Sequence, residues 1–129
     1  MHILLVDDNQ DTRHLFSMAF TLDGHRTQTA SNAADAIELF AKHHIDAMLL
    51  DLELPYIHGF TVLEAIRALP LGRDVPVIMF SAYHDMDKED RARELGAYAL
   101  LRKPMFPNDV LEVIQEAVDA RALKATPLE

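Results

Sequence analysis

The polar residues best suited to chemistry each stand at or just past the end of an apolar run. Asp7 and Asp8 follow Ile3–Val6, Asp51 follows Ile45–Leu50, Ser81 follows Val75–Phe80, and Lys103 comes shortly after Tyr98–Leu101. Three carboxylates held close together repel strongly, so a pocket containing Asp7, Asp8 and Asp51 must protonate one of them or hold a cation. An all-oxygen site with few protein ligands suits Mg²⁺, which keeps several waters and shares its shell with phosphate. Asp51 then has the makings of a nucleophile toward phosphorus, yielding an acyl phosphate. Lys103 offers a flexible positive charge to phosphoryl oxygens, and the Ser81 hydroxyl offers one of them a hydrogen bond. Positioning and charge neutralisation are most of what phosphoryl transfer requires. Taken singly, each residue has an ordinary explanation: Asp7-Asp8 as helix cap and surface acid, Ser81 as a turn residue, Asp51 and Lys103 as solvated charges. Only their joint placement on one rim gives the chemical reading weight.

Five alternating strand and helix patterns must deliver them there. The strand patterns are Ile3–Val6, Arg26–Ala30, Ile45–Leu50, Val75–Phe80 and Tyr98–Leu101. Between them, apolar residues recur at helical spacing, as in Leu15, Phe16, Met18, Ala19 and Leu22, or Ala33, Ala36, Ile37, Phe40 and Ala41. Asp8 or Asn9 is placed to cap the first helix, Ser31 or Asn32 the second and Asn108 the last, while Gly96 closes the fourth. Strands apolar on both faces, separated by amphipathic helices, require a parallel sheet covered on both sides. Five such units predict an α/β, flavodoxin-like doubly wound (βα)5 fold with a five-stranded parallel sheet in the order 2-1-3-4-5. In that order strands 1 and 3 meet at the switch point, where ligands bind beyond the carboxyl ends of the strands. Residues 1–121 read as one domain. Residues 122–129 read as a tail, with Leu128-Glu129 set aside as a remnant of a cloned tag.

Composition narrows the function. The formal net charge of −9 leaves no basic patch for direct nucleic-acid binding. No apolar stretch is long enough to span a membrane, and the start of the chain lacks a signal-peptide pattern. The absence of cysteine excludes a disulfide framework and fits a reducing, cytoplasmic setting. Seven histidines invite a zinc reading, but none pair at metal-ligand spacing with a suitable carboxylate. His14, His25, His58 and His84 read as exposed, and the charged run Asp85–Glu94 as a solvated helix face with local ion pairs.

Leu5-Val6-Asp7-Asp8, Asp51-Leu52-Glu53-Leu54-Pro55 with Gly59 eight residues after Asp51, Ser81-Ala82, and Gly96-Ala97 leading to Lys103-Pro104 occur in order along the chain. Together they closely resemble the receiver domains of two-component response regulators over roughly residues 1–121. The resemblance implies a phosphoacceptor signalling domain rather than a turnover enzyme, one that promotes its own phosphorylation and dephosphorylation. It implies a phosphohistidine donor on a histidine kinase or phosphotransfer protein. It also implies Mg²⁺ held by Asp8, Asp51 and the backbone carbonyl of Glu53, with Asp7 supporting, and a cis Lys103–Pro104 bond. The output partner, or an attached output domain, is expected to respond through the face made by the fourth helix, last strand and last helix. A homodimer is among the assemblies this allows.

Leu100 departs from the family pattern. Receivers usually carry Tyr or Phe three residues before the lysine, as a switch following the Ser/Thr hydroxyl, and Met105 likewise stands where Phe is common. The expected readout therefore runs through Ser81 and its loop alone, or through Tyr83. Two other classes compete. An aspartyl phosphatase would use Glu53 as its second acid, but the chain has no residues spare for a cap. A flavin-binding protein needs a phosphate-cradling loop where Asp7-Asp8-Asn9 stands.

Overall fold

Strict alternation along the strands decides the architecture. The computed structural model describes residues 1–125. Its elements are β1 (His2–Val6), α1 (Gln10–Leu22), β2 (Arg26–Ala30), α2 (Ala33–Lys42), β3 (Ala47–Asp51), α3 (Gly59–Ala68), β4 (Val77–Ser81), α4 (Met86–Glu94), β5 (Ala99–Arg102) and α5 (Pro107–Ala125). The strands form one parallel sheet ordered β2-β1-β3-β4-β5, as the sequence pattern predicts. Leu4, Val6, Met48, Leu50, Val77 and Met79 face one core, packed with Phe40, Leu63 and Ile66. Ile3, Leu5, Ala47, Leu49, Ile78 and Phe80 face a second core, packed with Phe16, Phe20 and Ile114. One sheet thus carries two cores, which is why β1, β3 and β4 are buried throughout.

Several boundaries shift for identifiable reasons. Ile45 and Val75 lie before β3 and β4 yet are buried, so the apolar runs include the approach to each strand. Asn9 and Asn32 cap α1 and α2, accepting from the Thr12 and Asp35 amides. Asn108 does not cap α5: Pro107 opens that helix, and the Phe106 carbonyl takes the Asp109 and Val110 amides. Proline suits the first helical position because its missing N–H would be unpaired there. His58 caps α3 through Nδ1, which accepts from Phe60 N–H at 3.1 Å. Helix α5 continues through Ala125, so the first part of the expected tail is helical, while 126–129 lie outside the described residues.

The helices leave the carboxyl rim of the sheet open. Gly59 is required there, because a Cβ would sit 2.6 Å from the Asp51 carbonyl oxygen and 2.7 Å from Leu52 Cα. Its N–H donates to the Leu52 carbonyl at 2.8 Å, which seats the start of α3 directly behind Asp51.

Candidate functional site

Register brings the site together. Val6 pairs with Leu50, so Asp7 and Asp51 emerge side by side, and Asp51 pairs in turn with Phe80, the residue before Ser81. Lys103 leaves the end of β5 with its N–H donating to the Ser81 carbonyl at 2.8 Å. Its Nζ lies 2.9 Å from Asp7 Oδ2 and 3.2 Å from Asp51 Oδ2, bridging the two strands. The remaining oxygens are also placed: Asp7 Oδ1 accepts from Asn9 N–H at 2.8 Å, and Asp51 Oδ1 from Glu53 N–H at 3.0 Å. Asp8 is exposed at the mouth. Asp7, Asp8 and Asp51 each offer an oxygen within 4.8 Å of the others, a donor set that fits a hard divalent cation.

The charge balance is incomplete. Asp7 and Asp51 are each only 2 % exposed. Burial, then the neighbouring Asp7 charge, pushes the Asp51 carboxyl up to about 6, although Lys103 and the Glu53 amide pull the other way. Lys103 loses hydration by burial, but its bonds to Asp7 and Asp51 outweigh that and raise its pKa. One lysine thus holds two buried carboxylates beside a third acid, and room remains for positive charge.

Ser81 is fully buried at the same rim. Its hydroxyl donates to Glu53 Oε2 at 2.7 Å and accepts from Tyr83 N–H at 3.0 Å. The Lys103–Pro104 bond is cis, matching the resemblance. Tyr56, in the loop after Asp51, is fully exposed with φ of 69°, a region that non-glycine residues seldom occupy. The Pro55 carbonyl accepts from Ile57 N–H at 2.8 Å and closes a tight turn around it.

The response regulator receiver domain family model matches residues 3–115. The chain belongs to that family. A probable transcriptional regulator from Cyanidium caldarium is 31% identical over 99% of this chain, which spans 51% of that relative. Sporulation initiation phosphotransferase F of Bacillus subtilis is 28% identical, covering 88% of this chain and 90% of the relative. The CheY-like receiver domain from Methanospirillum hungatei superposes with a TM-score of 0.88 at 25% identity, covering 96% of this chain and 98% of that one. The chain spans about half the length of the first of these relatives. Receiver domains are phosphorylated on an aspartate and regulate an output in two-component signalling.

Within this receiver domain, Leu100 is 5 % exposed and packed in the core beneath α3 and α4. Tyr83 is 70 % exposed, its carbonyl accepting from Lys88 Nζ at 2.6 Å. Two histidine expectations fail: His25 and His84 are half-buried, His25 against the N-terminal amine at 2.9 Å and His84 beside Glu89 at 3.3 Å. His14 and His58 are exposed, and on α4 only Ala92 is buried, as expected of a solvated face. A groove of about 1090 Å³ lies away from Asp7, Asp8 and Asp51, between the starts of β4 and β5 and the end of α5. The three acids stand instead at the carboxyl rim, with Asp8 exposed. No helix among the described residues is long and apolar enough to cross a membrane.

The side chains of Glu53 and Arg67 were the main functional and structural contributions that sequence reasoning missed. The sequence offers Glu53 as a backbone carbonyl ligand, or as the second acid of a phosphatase, but not as a partner of Ser81 and Ala82. Arg67 gave none: its Nη1 donates to the Gly72 and Val75 carbonyls and its Nη2 to Gly96, contacts visible only in three dimensions.

Proposed function

We propose that Asp51 is the phosphoacceptor of this receiver domain and that a phosphohistidine on a kinase or phosphotransfer protein is the donor. The observation that carries the reading is the buried Asp7–Lys103–Asp51 bridge beside exposed Asp8. An Asp51 carboxylate oxygen bonds to phosphorus as the donor P–N bond breaks, and the imidazole nitrogen keeps the electron pair. Lys103 moves from its carboxylate partners toward the phosphoryl oxygens, and Ser81 donates to one of them. Asp8, Asp51 and the Glu53 carbonyl would hold Mg²⁺, with Asp7 supporting through its grip on Lys103 and Asn9. When bound, that ion supplies neutralising charge for the acceptor and the transferring group. The same residues promote acquisition and loss of the phosphoryl group, so the domain acts as a switch.

The readout runs through Ser81 and the loop carrying Tyr83 to the α4–β5–α5 face, since Leu100 is fixed in the core. That face meets an output partner, an attached output domain or a second copy. With a net charge of −9, this chain does not itself bind nucleic acid. We read residues 1–121 as the receiver and 122–129 as a tail or linker, working in the cytoplasm. Incubation with Mg²⁺ and a small acyl phosphate, followed by intact-mass measurement, should add one phosphoryl group. The adduct should be absent from Asp51→Asn; equal labelling of that variant would overturn the assignment.

A further inference from the structure

Two donors at the end of β4, the strand paired with that of Asp51, are already occupied. Glu53 Oε2 accepts from Ser81 Oγ at 2.7 Å, and Glu53 Oε1 accepts from Ala82 N–H at 3.0 Å. A serine hydroxyl has one proton to give, so Ser81 cannot donate to anything else while Glu53 holds it. Ser81 is fully buried, and its oxygen also accepts from Tyr83 N–H. One carboxylate therefore holds the start of the β4–α4 loop, both oxygens engaged, while the backbone N–H of Glu53 donates to Asp51 Oδ1.

We infer that Glu53 is an internal anion that stands where a phosphoryl oxygen must go. The inference rests on the reading of Asp51 as acceptor and Ser81 as donor to the phosphoryl group. A phosphoryl oxygen and a carboxylate oxygen want the same short, charge-assisted bonds, so they compete for Ser81 Oγ and Ala82 N–H. Glu53 is half-exposed and can swing into water, which makes it displaceable rather than a permanent block. Its release gives up two bonds holding residues Ser81 and Ala82, so occupancy of Asp51 and loosening of the β4–α4 loop become one event. Glu53 is a positioning residue: it acts through Ser81 and Ala82 and sets how much of the phosphoryl group's interaction is spent on displacing it.

Beryllium fluoride with Mg²⁺, titrated against the full chain and followed by fluorine NMR, tests this. Glu53→Ala should bind about tenfold tighter than the wild type, the order expected for removing one charge-assisted competitor. Glu53→Gln, which keeps the side-chain length, should also bind tighter, and serves if the alanine variant fails to fold. In a Ser81→Ala background the gain from Glu53→Ala should shrink to about threefold or less, because one of the contested donors is gone. Unchanged or weaker binding by both Glu53 variants would overturn the inference. So would an undiminished tenfold gain in the Ser81→Ala background, which would mean simple charge repulsion. Failure of the underlying reading looks different: the wild type would not bind, or Asp51→Asn would bind as well as it does.

Discussion

The two rims of the sheet handle buried polarity in opposite ways. At the amino rim, demand is met by geometry: Arg67 forks onto three carbonyls, and Asp46 Oδ2 accepts from His2 N–H at 2.7 Å. At the carboxyl rim, two buried acids share one lysine, a third acid stands beside them, and a serine hydroxyl is held by a fourth. Polar groups that find complete partners hold loops in place. Those left short of charge are where a ligand can be gained, and that contrast separates the frame of this receiver from its switch.

The sharpest challenge to that division is Arg67→Ala. It should cost about 3 kcal/mol in urea unfolding, since three carbonyls lose a charged donor, while beryllium fluoride affinity stays within about twofold. A large loss of affinity would mean the rims are not independent. Arg67→Lys should recover less than half of the stability, because an ammonium cannot reproduce the fork.

The reverse sign is expected of Asp51→Asn. The Asp51 proton leaves at about 6 in the folded chain but near 3.8 when unfolded. The raised value favours the fold fully below that lower pH and ceases to as pH rises through 6. At pH 7 without Mg²⁺ the variant should therefore be more stable by about 2 kcal/mol, after discounting its lost bonds to Lys103. The gain should fade toward pH 4 in a series of unfolding curves. A gain that persists there would not come from the carboxylate charge.

The smallest effect tests the amino rim's exception. His2 is buried, its Nε2 has no partner among the described residues, and its ring meets His43 edge-on at 5.7 Å. Burial foremost, then Arg26 and His43, lowers its pKa below the ordinary 6.5. The unfolded chain thus takes up a proton that the folded one resists, and stability drops as pH falls below 6.5. His2→Phe should flatten that slope by about a few tenths of a kcal/mol in thermal melts between pH 7 and 5.

The sheet order and the identity of the rim acids were legible because they depend on local pattern. Apolar runs such as Ile3–Val6 end in polar residues, and a parallel register puts those ends on one side. Lys103 needed the whole order of strands, which the alternation of strand and helix patterns provided. The Glu53 carboxylate was not legible in the same way, since its choice of Ser81 and Ala82 depends on how two loops approach. The same holds for Phe106 replacing Asn108 at the start of α5, where a neighbouring proline overrode a good capping residue. His25 and His84 misled because a histidine's burial follows its contacts, here the chain's own amine and Glu89.

Gly59 gives Asp51 an anvil. With no side chain between them, the first turn of α3 presses against the carbonyl of Asp51 and the backbone of Leu52. A group added to the Asp51 carboxylate meets a fixed stop behind it, so the strand end cannot recoil. Across the cleft stands a softer wall, where the Ser81 hydroxyl and the Ala82 N–H are held by one displaceable carboxylate. A missing methyl thus sets the direction in which this molecule yields.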